Sequence, residues 1–172
     1  MNAAIFYSGQ YGSTEQYARW IGEATGLPVF DVNDRNADPK KYDLLILGSS
    51  VIVYKLTIRN WVKRNWASIK NSRVILFTVS GIAAGPKLDR WIAESLPKEL
   101  IGKWEHVALR GRMDPKRVSW WDRMMLRVGA WNNTDPEGKK QELEGFDFVD
   151  KSSIESVLER IQRHRSAEDA AS

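Results

Sequence analysis

The sequence predicts an α/β fold, a parallel sheet of five strands with helices on both faces. Three observations carry that expectation. The apolar runs at residues 44–47 and 74–79 are nearly uninterrupted, as suits central strands covered on both sides. Segments with helical spacing alternate with the strand-like runs, and parallel neighbours need such crossovers. Strands one, three and four each end in a loop, at 8–14, 49–55 and 80–85, the first lined by hydroxyls and glycines and the last small and apolar. The rhythm fits strand order 2-1-3-4-5, which puts a ligand outside the strand carboxyl ends at the switch point.

The elements follow in order. Residues 3–7 read as a buried strand. Residues 14–25 read as a helix with Tyr17, Ile21 and Ala24 on one face, a capping box of Ser13 with Gln16, and Gly26 as its stop. Residues 29–32 form a short second strand, and the polar stretch 31–41 is a solvated connection. After the third strand, residues 49–54 read as a loop. Thr57 then caps a helix to about Ala67, with Ile58, Trp61, Val62 and Asn65 facing inward. The fourth strand is followed by a helix from Lys87 to Ser95, and residues 104–109 are the fifth strand. A basic-aromatic insertion follows at 110–131, then a turn-rich piece at 132–138. A last helix spans about Ser152 to His164. The domain is placed at 1–165 and a flexible tail at 166–172.

Composition narrows the chemistry. The 172 residues suffice for one domain that buries roughly 70% of its unfolded surface. With no cysteine there is no disulfide, thiolate-held cluster or thiol nucleophile. The two histidines, His106 and His164, are far apart in sequence, so no metal site or serine triad is expected, and no catalytic side chain stands out. No apolar window is long enough to span a membrane, and the N-terminus has no signal-peptide pattern, so the expected location is cytoplasmic. The formal net charge is +4. Between Arg110 and Arg127 the basic residues Arg110, Arg112, Lys116, Arg117, Arg123 and Arg127 outnumber Asp114 and Asp122 by that same excess. The positive charge is thus local.

The first loop lacks the lysine of a nucleotide-triphosphate loop and the Gly-x-Gly-x-x-Gly of a dinucleotide site. Ser8, Gln10, Gly12, Ser13 and Thr14, with backbone N–H groups and the following helix's positive end, suit a single phosphomonoester. The alternative is an ordinary strand-to-helix turn capped by Ser13 or Thr14. In the insertion, Val118, Trp121, Met125 and Val128 share one helical face. A second apolar strip, Trp120, Met124 and Trp131, is flanked by Arg123 and Arg127. Such a strip suits an anionic bilayer on the inner membrane face, or an apolar partner. The alternative is a helix tucked into the body with snorkelling arginines. Arg112, Lys116, Trp120, Arg123, Met124, Arg127 and Trp131 are the candidate contacts. Nucleic acid is not expected as a partner, and a homo-oligomer stays open.

Two resemblances add to this reading. Residues 7–15, Tyr-Ser-Gly-Gln-Tyr-Gly-Ser-Thr-Glu, resemble the FMN-phosphate loop of flavodoxins, with Gly12 and Thr14 matching and Gly9 and Tyr11 standing where hydroxyl residues are usual. The resemblance implies a flavodoxin-like three-layer sandwich. It also implies an FMN site built from Ser8, Gln10, Tyr11, Gly12, Ser13 and Thr14, from Ser49, Ser50, Val51, Ile52, Val53 and Tyr54, and from Ser80, Gly81, Ile82 and Ala83. Tyr54 would stack on the ring, and the 80–85 loop would let backbone approach it. The second resemblance is sharper. Val107-Ala108-Leu109-Arg110-Gly111-Arg112 and Trp120-Trp121-Asp122-Arg123-Met124-Met125 are similar to the insertion of the flavodoxin-like protoporphyrinogen oxidase family, and residues 48–54 to its Gly-Ala-Ser-Ile-Arg-Tyr loop. Val51 to Val53 lack that family's arginine, and Gly111 replaces an aromatic. This resemblance implies FMN-dependent oxidation of protoporphyrinogen IX with electrons passed to membrane quinone. The rival expectations are a flavodoxin-like electron carrier with a redox partner protein, against which the basic patch argues, and an α/β binding domain without cofactor.

Overall fold

The structure is a computed structural model that describes residues 2–100, 102–114, 124 and 144–170. Its central strands are β1 (Ala3–Ser8), β2 (Val29–Asp31), β3 (Leu44–Ile52), β5 (Arg73–Ser80) and β6 (Glu105–Arg110). They form a parallel sheet in the order β2-β1-β3-β5-β6. A two-residue strand, β4 (Lys55–Leu56), pairs antiparallel with the end of β3. Leaving out that hairpin strand, the order is the expected 2-1-3-4-5.

Ile5 pairs with Ile46, and Ile46 with Ile75. The ladder sets alternate residues on opposite faces. Ile5, Ile46, Ile75, Phe77 and Val107 pack under α1 (Ser13–Thr25) and the last helix, α5 (Glu155–Asp169). Phe6, Leu45, Leu47 and Leu76 pack under Leu56, Trp61, Val62, Ile69 and Leu96. That second layer is built by α2 (Arg59–Arg64), α3 (Trp66–Ile69) and α4 (Pro86–Ser95). Both faces of β1, β3 and β5 are covered, which is why their sequences show apolar runs instead of alternation.

Several elements differ from the sequence expectation, each for an identifiable reason. Helix α1 starts at Ser13 with no side-chain cap, because Ser13 Oγ accepts instead from the Arg112 N–H and Gln16 bonds the Arg112 guanidinium. Its buried face is Tyr17, Ala18, Ile21 and Gly22, where a side chain at Gly22 would collide with Val29, while Ala24 points to solvent. Thr57 caps no helix. Its hydroxyl donates to the Ser8 carbonyl, 2.7 Å away, and the helix begins at Arg59 and breaks at Asn65. The fifth strand is shifted by one residue to 105–110 through the pairing of Ile75 with Glu105. Helix α4 begins one residue early, at Pro86, with its φ preset for a first turn. A 3₁₀ turn, Lys151–Ile154, precedes α5. That helix runs past His164 to Asp169, and Arg165 Nη2 reaches the Thr25 carbonyl at 3.2 Å.

Residues 112–113 are a strand, not part of a helix: β7 (Arg112–Met113) pairs antiparallel with β8 (Phe146–Asp147). The projected helix and the 132–138 turn lie outside the described residues, Met124 excepted. Met124 is exposed. Lys116, Trp120, Arg123, Arg127 and Trp131 also lie outside them.

Candidate functional site

Three chain segments meet at the carboxyl end of the sheet. The first leaves β1 at Ser8, which pairs with Ser49. Gly9 is required by close approach, since a Cβ there would stand 2.9 Å from Thr14 Cβ. Gly12 has φ 85° and faces open space, turning the chain into α1. No side chain caps α1, so its first N–H groups and its dipole face the loop. Gln10, Tyr11 and Gly12 line the adjacent cleft. Ser13 Oγ accepts from Arg112 N at 3.2 Å and keeps its own proton to donate. Thr14 is buried, with Oγ1 2.7 Å from Ser50 Oγ.

The second segment is a hairpin where a loop is expected. Val51 and Ile52 belong to β3 and pair with Leu56 and Lys55. The turn falls on Val53 and Tyr54, with φ of 46° and 63°. Two left-handed residues match the twist of a tight hairpin, yet a β-branched residue is strained there. Both side chains are exposed, and the Tyr54 ring leans on Trp91 with centroids 5.0 Å apart. Ser49 is fully buried. Its hydroxyl donates to Ser50 O, accepts from Ile58 N and stands 3.2 Å from Thr57 Oγ1. Thr57 thereby joins the first two segments, a role its place after an apolar loop did not signal. Ser95 anchors the hairpin from α4, accepting from Leu56 N at 3.0 Å.

The third segment follows β5. Ser80 Oγ donates to Ile82 O at 2.9 Å and tightens the turn, with Ile82 half-buried and Ala83 exposed. Gly81 does present bare backbone, but Phe146 of β8 lies against it: a Cβ on Gly81 would be 2.5 Å from Phe146 Cζ. Phe146 stacks on Phe148, and Arg110 Nη2 donates to Gly81 O at 2.8 Å. Only the fold brings 146–148 back beside residue 81, so no sequence spacing pointed to them.

Between the first segment and the β7–β8 ribbon lies a cleft of about 710 Å³, lined by Gln10, Tyr11, Gly12, Arg112, Asp114, Glu144 and Phe146 among others. Its size is that of a cofactor or drug-sized ligand site. Arg112 Nη1 lies 3.7 Å from Asp147 Oδ2 at its rim. Below the first segment, burial and then Glu15 push the Tyr7 hydroxyl above its ordinary value. On the far side of the sheet His106 Nε2 meets Thr78 Oγ1 at 2.9 Å, and burial holds its pKa below the usual imidazole value. Among the described residues no group of side chains is placed to hold a metal ion, and no helix is long and apolar enough to cross a membrane.

A family model described as a flavodoxin domain matches residues 4–140. The chain belongs to the flavodoxin domain family. No curated protein matches it by sequence. Among solved structures this flavodoxin-domain chain is similar to oxidised flavodoxin 2 from Bacillus cereus, at 16% identity over 83% of this chain and 93% of that one, with a TM-score of 0.48. It is similar to oxidised flavodoxin 1 from the same organism, at 16% identity over 63% and 83%, with a TM-score of 0.46. A flavoprotein in complex with FMN from Lactobacillus acidophilus NCFM is 16% identical over 63% and 91%, with a TM-score of 0.44.

Proposed function

We propose that this flavodoxin-domain protein binds FMN and is an oxidoreductase of the protoporphyrinogen IX dehydrogenase type, passing electrons to quinone at a membrane face. One observation carries the FMN reading. The uncapped N-terminus of α1, the strained Val53–Tyr54 turn and the Gly81 backbone follow the carboxyl ends of the neighbouring strands β1, β3 and β5, and an open cleft borders the first of them. The donors fit the group. A phosphomonoester would meet N–H groups and a helix dipole at 12–14, and a flat ring would meet the exposed Tyr54. Bound there, FMN supplies the electron transfer. The chain's own residues would bind and orient it: Gly12 and Ser13 at the phosphate and Tyr54 at the ring, with the Phe146-covered Gly81 loop alongside. Phe146 excludes water from the Gly81 side.

The substrate reading rests on the resemblance at residues 48–54, 107–112 and 120–125, together with the local basic excess of the insertion. Purified protein is titrated with FMN, followed by fluorescence quenching and visible absorption. It is then assayed anaerobically for protoporphyrinogen IX oxidation with menaquinone as acceptor. The expected result is retained flavin bands, quinone-dependent turnover, and liposome binding that rises with anionic lipid and falls with salt. Retained flavin with no turnover, no liposome binding and fast reduction by a ferredoxin reductase would replace the enzyme with an electron carrier. A protein that leaves FMN fluorescence unchanged would end the flavin reading altogether.

A further inference from the structure

Arg110 places a cation beside the site with no described carboxylate paired to it. It closes β6, the neighbour of the strand that ends at Ser80, just before Gly81. Its backbone is pinned, because the Tyr17 hydroxyl donates to Arg110 O at 2.8 Å and itself accepts from Asp150 N at 3.0 Å. Its guanidinium is pinned too. Nη2 holds the Gly81 carbonyl, and the head group lies 4.1 Å from the centroid of the Phe148 ring. Nε is buried with no acceptor among the described residues. The nearby Asp147 faces Arg112 instead. A guanidinium keeps its charge throughout the working pH range of a protein. The residue is half-buried, so its charge is only partly screened from its surroundings.

We propose that Arg110 sets the redox potential of the bound flavin by favouring its reduced anion. The inference rests on the FMN reading above. Taking up two electrons and one proton leaves the ring one negative charge richer than the oxidised form. A fixed cation one hydrogen bond beneath the ring-flanking loop stabilises the reduced ring selectively. This suits a flavin that collects electrons from a substrate better than one that delivers them at low potential. Arg110 acts through the Gly81 loop and is a positioning residue, not a catalytic one.

The test is a potential measurement on the full chain loaded with FMN, reduced by dithionite in equilibrium with a reference dye. The wild-type midpoint is expected at or above that of free FMN, meaning reduced FMN binds at least as tightly as oxidised. Arg110→Gln is expected to lower the ratio of reduced to oxidised affinity about tenfold, equal to about 30 mV for a two-electron couple. Arg110→Lys, which keeps the charge, is expected to retain most of the wild-type value. A wild-type midpoint below free FMN overturns the inference without recourse to any variant. So does an Arg110→Gln midpoint equal to wild type, and in both cases FMN binding itself still stands. Failure of the wild type to bind FMN at all is a different result, and it removes the flavin reading along with this inference.

Discussion

Thr57→Val tests whether one half-buried hydroxyl ties the first two segments of the site together. The substitution keeps shape and β-branching and removes only the oxygen. In the folded protein that oxygen donates to Ser8 O at 2.7 Å and stands 3.2 Å from the Ser49 hydroxyl, which is fully buried. The loss leaves the Ser8 carbonyl without this donor, at the residue where β1 gives way to the first loop. A hydrogen bond of this half-buried kind contributes about 0.5–1.5 kcal/mol net, so we expect about 1 kcal/mol of destabilisation. For a domain of this size each kcal/mol moves the midpoint by about 2–4 °C, giving a fall of about that size in Tm. FMN affinity should fall as well, because Gly9 and Thr14 pack against the same junction. Thermal unfolding by circular dichroism and FMN fluorescence titration read the two effects. Thr57→Ser restores the oxygen and should recover most of both. A Thr57→Val protein with wild-type Tm and wild-type FMN affinity would refute the reasoning, since the hydroxyl would then be dispensable to the junction.

Three further predictions bear on other parts of the molecule. Replacing Val53–Tyr54 with Asn-Gly should stabilise the fold by about 1 kcal/mol, by relieving two left-handed non-glycine residues, while weakening FMN binding through loss of the exposed Tyr54 ring; urea unfolding and flavin titration measure the opposed changes. Gly48→Ala drives a Cβ into the Phe77 ring in a fully buried layer and should cost about 1–3 kcal/mol, measured as a lower urea midpoint with an unchanged slope. Burial lowers the His106 pKa below its usual value of 6.5, so the unfolded chain binds this proton more readily than the folded one; stability should be full above pH 6.5 and decline as pH falls below it, and the slope of Tm against pH in that window should flatten in His106→Gln.

The sequence was most legible where one element's chemistry is self-contained. Apolar runs at 44–47 and 74–79 announce strands covered on both faces, and Gly26 ends α1 with φ 70° as a glycine stop should. The alternation of elements predicts the parallel sheet, and the order 2-1-3-4-5 that it fits is the one observed once the hairpin strand is left out. Less of the site was legible. The hairpin at 51–56 has no Asn-Gly signal, because Val53 and Tyr54 occupy left-handed positions that their own preferences oppose. Pairing of Leu56 with Val51 and the Ser95 anchor hold them there. Thr57 looks like a helix cap by its neighbours, but a carbonyl from residue 8 claims its hydroxyl.

The sequence by itself determined the class of fold, the small-residue loops after the first and fourth strands and the local basic excess, because each depends on neighbours a few positions apart. Tertiary structure alone decided what faces those loops. Phe146 meets Gly81, Arg112 meets Ser13, and Arg110 holds the Gly81 carbonyl through contacts that span 29 to 99 residues of chain. Such contacts are selected by how two covered faces of one sheet close on each other, and local spacing carries no record of that choice.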